Sequence, residues 1–219
     1  MRAHDQGQTR SQHSLSGVEL RCAGVAWGGN IITENTFSSS GDGQEVIIYG
    51  SSGDDEITGT QYSDLIVGGA GDDTLSGGAA ADTLTGGEDA DTFVYLDLSD
   101  SLAGSFDTIT DFSGEDFFMV SEVAEAAINE EGGLVALGDF PGEAENTLAE
   151  DIAAAFALNE ENGEASMANN GAATVTITGD NAGSYLIMND GIGGFDASFD
   201  AVIQLTDGFS SVAQENFIA

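Results

Sequence analysis

Five aspartates, Asp55, Asp64, Asp73, Asp82 and Asp91, recur at nine-residue intervals, each five residues after a glycine and two before an apolar side chain. Glycine turns bare their backbone carbonyls, and each aspartate adds carboxylate oxygens. Hard oxygen donors in a flexible loop, about six to eight per ion, suit Ca²⁺ better than Mg²⁺ or Zn²⁺. One short turn cannot supply that many, so an ion must lie between two stacked turns.

The elements that would stack them follow from the period. From Gly41 the chain divides into GDGQEVIIY, GSSGDDEIT, GTQYSDLIV, GGAGDDTLS, GGAAADTLT and GGEDADTFV. Every row begins with glycine and carries an apolar residue at position eight: Ile48, Ile57, Ile66, Leu75, Leu84 and Phe93. Positions one to six suit a tight turn, with glycine supplying positive φ at little steric cost. Positions seven to nine suit a short strand whose middle residue points inward. A fixed short period predicts a solenoid, here a flattened roll with two rows per coil, its leucines and isoleucines forming a thin core. Turns two rows apart then stack along each edge. That pairs Asp55 with Asp73 and Asp73 with Asp91 on one edge, and Asp64 with Asp82 on the other, or about three Ca²⁺ sites. The turn residues Gly53, Gly69, Gly71, Gly78, Gly87 and Asp89 join the five aspartates as candidate ligands. In the first row Val46 stands where an aspartate belongs, so that row caps the stack without offering a carboxylate.

The chain's charge favours the same chemistry. Its 219 residues hold 39 acids against three arginines and no lysine, a formal net charge of −36. Arg2, Arg10, Arg21, His4, His13 and Cys22 all lie in the first 22 residues, so beyond them no side chain can carry positive charge. Intramolecular ion pairs are excluded there, and the acids need water, caps or a metal. Nucleic acid and anionic membrane surfaces are poor partners for such a chain. One cysteine excludes an internal disulfide. No apolar run approaches the ~18 residues of a membrane span, and the N-terminus has no apolar h-region of an ordinary secretory signal. With His4 and His13 alone no histidine-based zinc protease site assembles, and no G-x-S-x-G elbow is present. No catalytic residue is assigned, and the chain is expected not to be an enzyme.

The nonapeptide G-G-x-G-x-D-x-U-x carried by these rows resembles the Ca²⁺-binding repeat of the RTX family. Row 68–76 matches at every position. Rows 77–85 and 86–94 lose only the position-four glycine, to Ala80 and Asp89. GGEDADTFVY followed by FDTITDFSGEDFF is similar to the ending of the repeat array in the serralysin C-terminal domain. SYLIMNDGIGGFDASFDAVIQLTD is similar to the C-terminal part of acidic repeat-bearing cyanobacterial surface proteins. The resemblance implies a right-handed parallel β-roll, export of the unfolded chain by type I secretion machinery with an uncleaved C-terminal signal, and folding on Ca²⁺ outside the cell. It leaves two readings: a secreted or cell-surface calcium module with a structural role, or the calcium-binding and secretion part of a larger secreted hydrolase.

The expected architecture is mainly β. Residues 1–30 read as a disordered arm or an upstream extension, 31–120 as the roll with flanking strands, and 121–219 as a β-rich region with one helix at 147–158. There Thr147 and Glu150 form a capping box, and Leu148, Ile152, Ala155 and Phe156 an apolar face. Runs 172–178, 184–190 and 201–206 read as strands, the first two joined by a GDNAG hairpin turn. After Tyr95 the nine-residue register is expected to dissolve. Asp190, Asp196 and Asp200 are read either as solvated loop acids or as another Ca²⁺ site.

Overall fold

A computed structural model describes residues 18–21, 45–50, 52–129, 133–161, 171–190, 195–207 and 209–219. Each row's last third forms a strand: β2 (Val46–Tyr49), β3 (Glu56–Thr58), β4 (Leu65–Ala70), β5 (Thr74–Ser76), β6 (Thr83–Glu88) and β7 (Thr92–Val94). Strands two rows apart pair in parallel with an 18-residue offset, as in Ile48 with Ile66 and Ile57 with Leu75. The position-eight side chains therefore stack inward. Ile57, Ile66, Leu75, Leu84 and Phe93 are each 2 % exposed or less, and burying a side chain of this size contributes roughly 1.5–3 kcal/mol. The expected core is present, with its expected period.

The nine-residue register ends at Tyr95 as expected, but the parallel stacking does not. Strand β8 (Asp107–Ile109) pairs with β6, and β9 (Phe117–Met119) with β7, both in parallel. The offset has grown from 18 to 25, as in Leu84 with Ile109 and Phe93 with Phe118. Seven residues have been added in the connection after β7, and the chain then resumes its former geometry. Ile109 and Phe118 occupy the position-eight slot at 0 % exposure. Phe118 stacks on Phe112 at 4.7 Å and on Phe217 at 5.4 Å between ring centroids, closing the core with aromatic rings.

The roll continues directly into the C-terminal region. Strand β13 (Ala201–Leu205) pairs in parallel with β8, and β14 (Phe217–Ile218) in parallel with β9. Among the described residues the order is β1-β2-β4-β6-β8-β13-β12-β11-β10 in the larger sheet and β14-β9-β7-β5-β3 in the smaller. Here β1 is Val18–Arg21, β10 Leu134–Pro141, β11 Ala172–Thr178 and β12 Gly183–Met188. The hairpin expected at GDNAG joins β11 and β12, with Gly179 at φ 100°. Within the segment expected to be a disordered arm, Val18–Arg21 pairs with β2 in parallel; the rest of residues 1–30, and all of 31–40, lie outside the described residues.

The expected helix is α2 (Leu148–Glu161). The Thr147 N–H donates to Glu150 Oε2 at 2.7 Å and the Glu150 N–H donates to Thr147 Oγ1 at 3.3 Å, the two halves of the capping box. Leu148, Ile152, Ala155 and Phe156 are buried in a second core with Val175, Ile177, Ile187 and Val202. A second helix, α1 (Glu122–Ile128), departs from the one-helix expectation. It is seven residues long, too short for its periodicity to show in sequence, and is started by Ser121, whose side chain accepts from the Ala124 N–H.

Candidate metal centre

The position-six aspartates are not on the surface of the roll edges: Asp55, Asp64, Asp73, Asp82 and Asp91 are between 1 and 4 % exposed. Each of the last four turns one carboxylate oxygen toward the preceding coil. Asp73 Oδ1 accepts the Asp55 N–H at 2.8 Å, Asp82 Oδ1 that of Asp64 at 2.7 Å and Asp91 Oδ1 that of Asp73 at 3.0 Å. Asp64 Oδ1 accepts the Val46 N–H at 2.9 Å, so the first row is held by the ladder without adding a carboxylate to it. Asp55 with Asp73 and Asp73 with Asp91 thus meet along one edge and Asp64 with Asp82 along the other, each through a backbone N–H to carboxylate hydrogen bond.

The position-one glycines make room for this arrangement. A Cβ at Gly68 would run into Asp73 Oδ2 and Gly86 O, and one at Gly77 or Gly86 into the carboxylate of its own row. These glycines are conserved in form across the rows by space and not by φ. Positive φ falls instead at positions two and four: Gly69 (130°), Gly71 (104°), Gly78 (97°) and Gly87 (125°). Ala80 (84°) and Asp89 (78°) hold the same conformation without being glycine. The turns stack in close contact there, since a Cβ on Gly71 would meet the Gly53 and Asp54 backbone, and one on Gly87 the Gly69 carbonyl. Gly53, Gly69, Gly71, Gly78 and Gly87 therefore lie in the stacked turns beside the aspartate ladder. Asp89 stands apart from the buried carboxylates on the exposed rim of its turn.

The second carboxylate oxygen shows what these turns lack. Asp73 Oδ2 and Asp82 Oδ2 are buried and have no hydrogen-bond partner. A buried anionic oxygen without a partner is costly, and no side chain after Arg21 can supply a cation. Burial pushes the carboxyl of Asp73 up to about 6, that of Asp91 to about 7 and that of Asp82 to about 8, with neighbouring aspartates adding to the rise. A divalent cation satisfies such oxygens where a proton otherwise must, and metal binding then releases protons. Among the described residues no three His, Cys, Asp or Glu side chains cluster closely enough to hold a metal by themselves. A cation held here would have to draw on one or two carboxylates together with turn carbonyls, the hard-oxygen donor set that suits Ca²⁺.

Two ladder residues were not legible as such. Asp107 Oδ1 accepts the Asp82 N–H at 2.9 Å and Asp116 Oδ1 the Asp91 N–H at 3.0 Å, extending both edges by one rung. The C-terminal acids behave differently again. Asp200 is fully buried and accepts N–H groups of Asp190 and Asp196 on its two oxygens at 2.9 and 2.8 Å. It is a backbone staple and not a solvated loop acid.

The comparisons with known proteins agree with this geometry. Residues 40–61 and 58–93 match the model of the RTX calcium-binding nonapeptide repeat, in four copies. Among solved structures, the AlgE6R3 subunit of the Azotobacter vinelandii mannuronan C5-epimerase superposes with a TM-score of 0.50 at 24 % identity, covering 80 % of this chain and 77 % of its own. The AlgE6R2 subunit of the same enzyme gives a TM-score of 0.40 at 22 % identity, covering 82 % and 94 %. No curated protein matches the chain in sequence. The parallel, mainly β fold is that of a β-roll, and its repeats are calcium-binding repeats.

Proposed function

We propose that this chain, whose residues 40–93 are RTX calcium-binding nonapeptide repeats, is a secreted, non-catalytic calcium module with a structural or surface role, folding on Ca²⁺ after type I export. The observation that carries the reading is the pair of buried, partnerless oxygens on Asp73 and Asp82 in a region without any cationic side chain. About three ions are expected, held by Asp55 with Asp73, Asp73 with Asp91, and Asp64 with Asp82, together with turn carbonyls of Gly53, Gly69, Gly71, Gly78 and Gly87. Asp89 is retained as an outer ligand only.

Export is tied to the same chemistry. Extracellular calcium modules bind at roughly 10⁻⁴–10⁻³ M, so the roll would stay open at cytosolic Ca²⁺ and close outside. Without the ion, the acids oppose compaction and the glycines lose the most entropy on ordering. Proteins with this repeat are typically secreted, and among the described residues no helix is long and apolar enough to cross a membrane. Deleting the last residues of the chain in a type I-competent host tests the export arm: loss of the protein from the medium supports it, unchanged secretion overturns it.

A second reading, the calcium-binding and secretion part of a larger secreted hydrolase or similar enzyme, is favoured by one observation: the AlgE6R3 fold neighbour is itself named as a subunit of an enzyme. The mass of the native secreted protein separates the two. A species near the 22.3 kDa of this chain favours the module, and a much larger one carrying a catalytic motif favours the enzyme.

A further inference from the structure

The aspartate ladder outruns the repeats by two rungs, Asp107 and Asp116, and these rungs differ chemically from those at the centre. At Asp107, 1 % exposed, both carboxylate oxygens already have donors. Oδ1 takes the Asp82 N–H, and Oδ2 takes the hydroxyl of Tyr95 at 2.9 Å. Tyr95 is itself 1 % exposed and lies at the start of the seven-residue addition that breaks the register. The Asp107 N–H is closed in turn by Ser101 Oγ at 2.7 Å, whose hydroxyl donates to Val202 O at 2.6 Å. At Asp116, 3 % exposed, Oδ1 takes the Asp91 N–H and Oδ2 the Ser113 N–H at 2.7 Å. Asn216 Nδ2, in the turn just before β14, then donates to Asp116 O at 2.8 Å.

The contrast is with Asp73 and Asp82, whose Oδ2 atoms have no donor. On the N-terminal side Asp64 resembles the closed rungs, its Oδ2 accepting the Thr60 N–H of its own turn. Each of the three sites expected above includes Asp73 or Asp82. A carboxylate oxygen held by a buried hydroxyl or amide already has a fixed donor where a cation would otherwise sit. An ion entering there would have to displace that donor and leave it unpaired, which costs about as much as the bond it breaks.

We infer that calcium binding ends at Asp91, and that at Asp107 and Asp116 the chain's own donors, the Tyr95 hydroxyl and the Ser113 amide, take the place of the ion. The roll is therefore cation-dependent at its centre and closed without metal where it meets β13 and β14. The added residues after β7 do chemical work, for they bring Tyr95 and Ser101 onto the Asp107 rung. This inference rests on the calcium reading of the repeats.

Calorimetric titration with Ca²⁺ alone, on the full chain and its asparagine variants, tests it. Asparagine keeps the Oδ1 acceptor of the ladder and removes the charge. Asp107→Asn and Asp116→Asn are expected to bind the same number of ions as the parent chain, whereas Asp73→Asn loses two and Asp82→Asn one. Loss of an ion in Asp107→Asn or Asp116→Asn overturns the inference and leaves the calcium reading intact. Retention of the parent's count in Asp73→Asn fails the calcium reading instead. Peptide-resolved hydrogen exchange in chelator is independent of variant folding. Residues 107–119 are expected to stay protected while 68–91 exchange freely, and equally fast exchange in both segments overturns the inference.

Discussion

Asp73 Oδ1 accepts the backbone N–H of Asp55 at 2.8 Å across one coil of the roll, while Asp73 Oδ2 is buried without a partner. One carboxylate thus serves as a rung of the backbone and leaves an oxygen unpartnered, and in the proposed function Asp73 takes part in two of the three expected sites. Asp73→Ala should be the most damaging single change in the repeat. It orphans a buried N–H, at about 1–3 kcal/mol, and removes a ligand from two ions. Calorimetry and thermal unfolding in Ca²⁺ should show a lower ion count and a lower midpoint than for Asp89→Ala, whose side chain is on the exposed rim.

Gly68 is required for space. Its φ is not positive, yet a Cβ there would strike Asp73 Oδ2 and Gly86 O. Gly68→Ala is expected to destabilise the Ca²⁺-loaded roll by about 1–3 kcal/mol, the usual range for overpacking. Denaturant melts in saturating Ca²⁺ measure it, and an unchanged midpoint would refute the close-packed turn.

Ala80 is the opposite case, a side chain held at φ 84° in the position-four slot that rows 50–58 and 68–76 fill with Gly53 and Gly71. The left-handed conformation costs an ordinary residue roughly 1–2 kcal/mol, and glycine gives part of that back as unfolded-state entropy. Ala80→Gly should therefore stabilise the loaded roll by about 0.5–1 kcal/mol without altering its ion count. A lower unfolding midpoint would show that the methyl group is engaged in packing.

The pH dependence of the metal-free roll has a definite sign. Burial raises the folded carboxyls of Asp73 to about 6, Asp91 and Asp107 to about 7 and Asp82 to about 8. The unfolded value is about 3.9. Groups raised on folding contribute stability that is complete below the unfolded value and is lost as pH rises through the folded ones. In chelator the roll should gain structure on acidification from pH 8.5 to 5, seen by far-UV circular dichroism. In Ca²⁺, which competes with those protons, apparent affinity should rise over pH 6–8, with proton release measured by calorimetry in buffers of different ionisation heat.

Much of this was legible because the spacing is strict where the roll is regular. A glycine at position one and an apolar residue at position eight fix the 18-residue pairing of Ile57 with Leu75 and of Asp55 with Asp73. The continuation was not legible. Carrying the nine-residue frame past Val94 puts position six at Asp100, whereas the chain uses Asp107, seven residues on. The last row, DFSGEDFFM, keeps Asp116 and Phe118 but has Asp111 in place of the first glycine, and Asp111 accepts the Gly86 N–H at 2.9 Å. The role of the position-one glycine was also hidden, since sequence shows that glycine is present and not whether φ or space demands it. Tyr95, Ser101 and Asn216 become partners of the ladder only when strands distant in sequence meet.

Far-UV circular dichroism through a Ca²⁺ titration, beside a monovalent-salt titration of matched ionic strength, tests the calcium reading most directly. The expected result is a β signal that grows and saturates at millimolar Ca²⁺ and does not grow with NaCl. A spectrum indifferent to Ca²⁺, or one that responds equally to both salts, would mean that the ladder is closed by screening alone and that the Oδ2 atoms of Asp73 and Asp82 hold no ion.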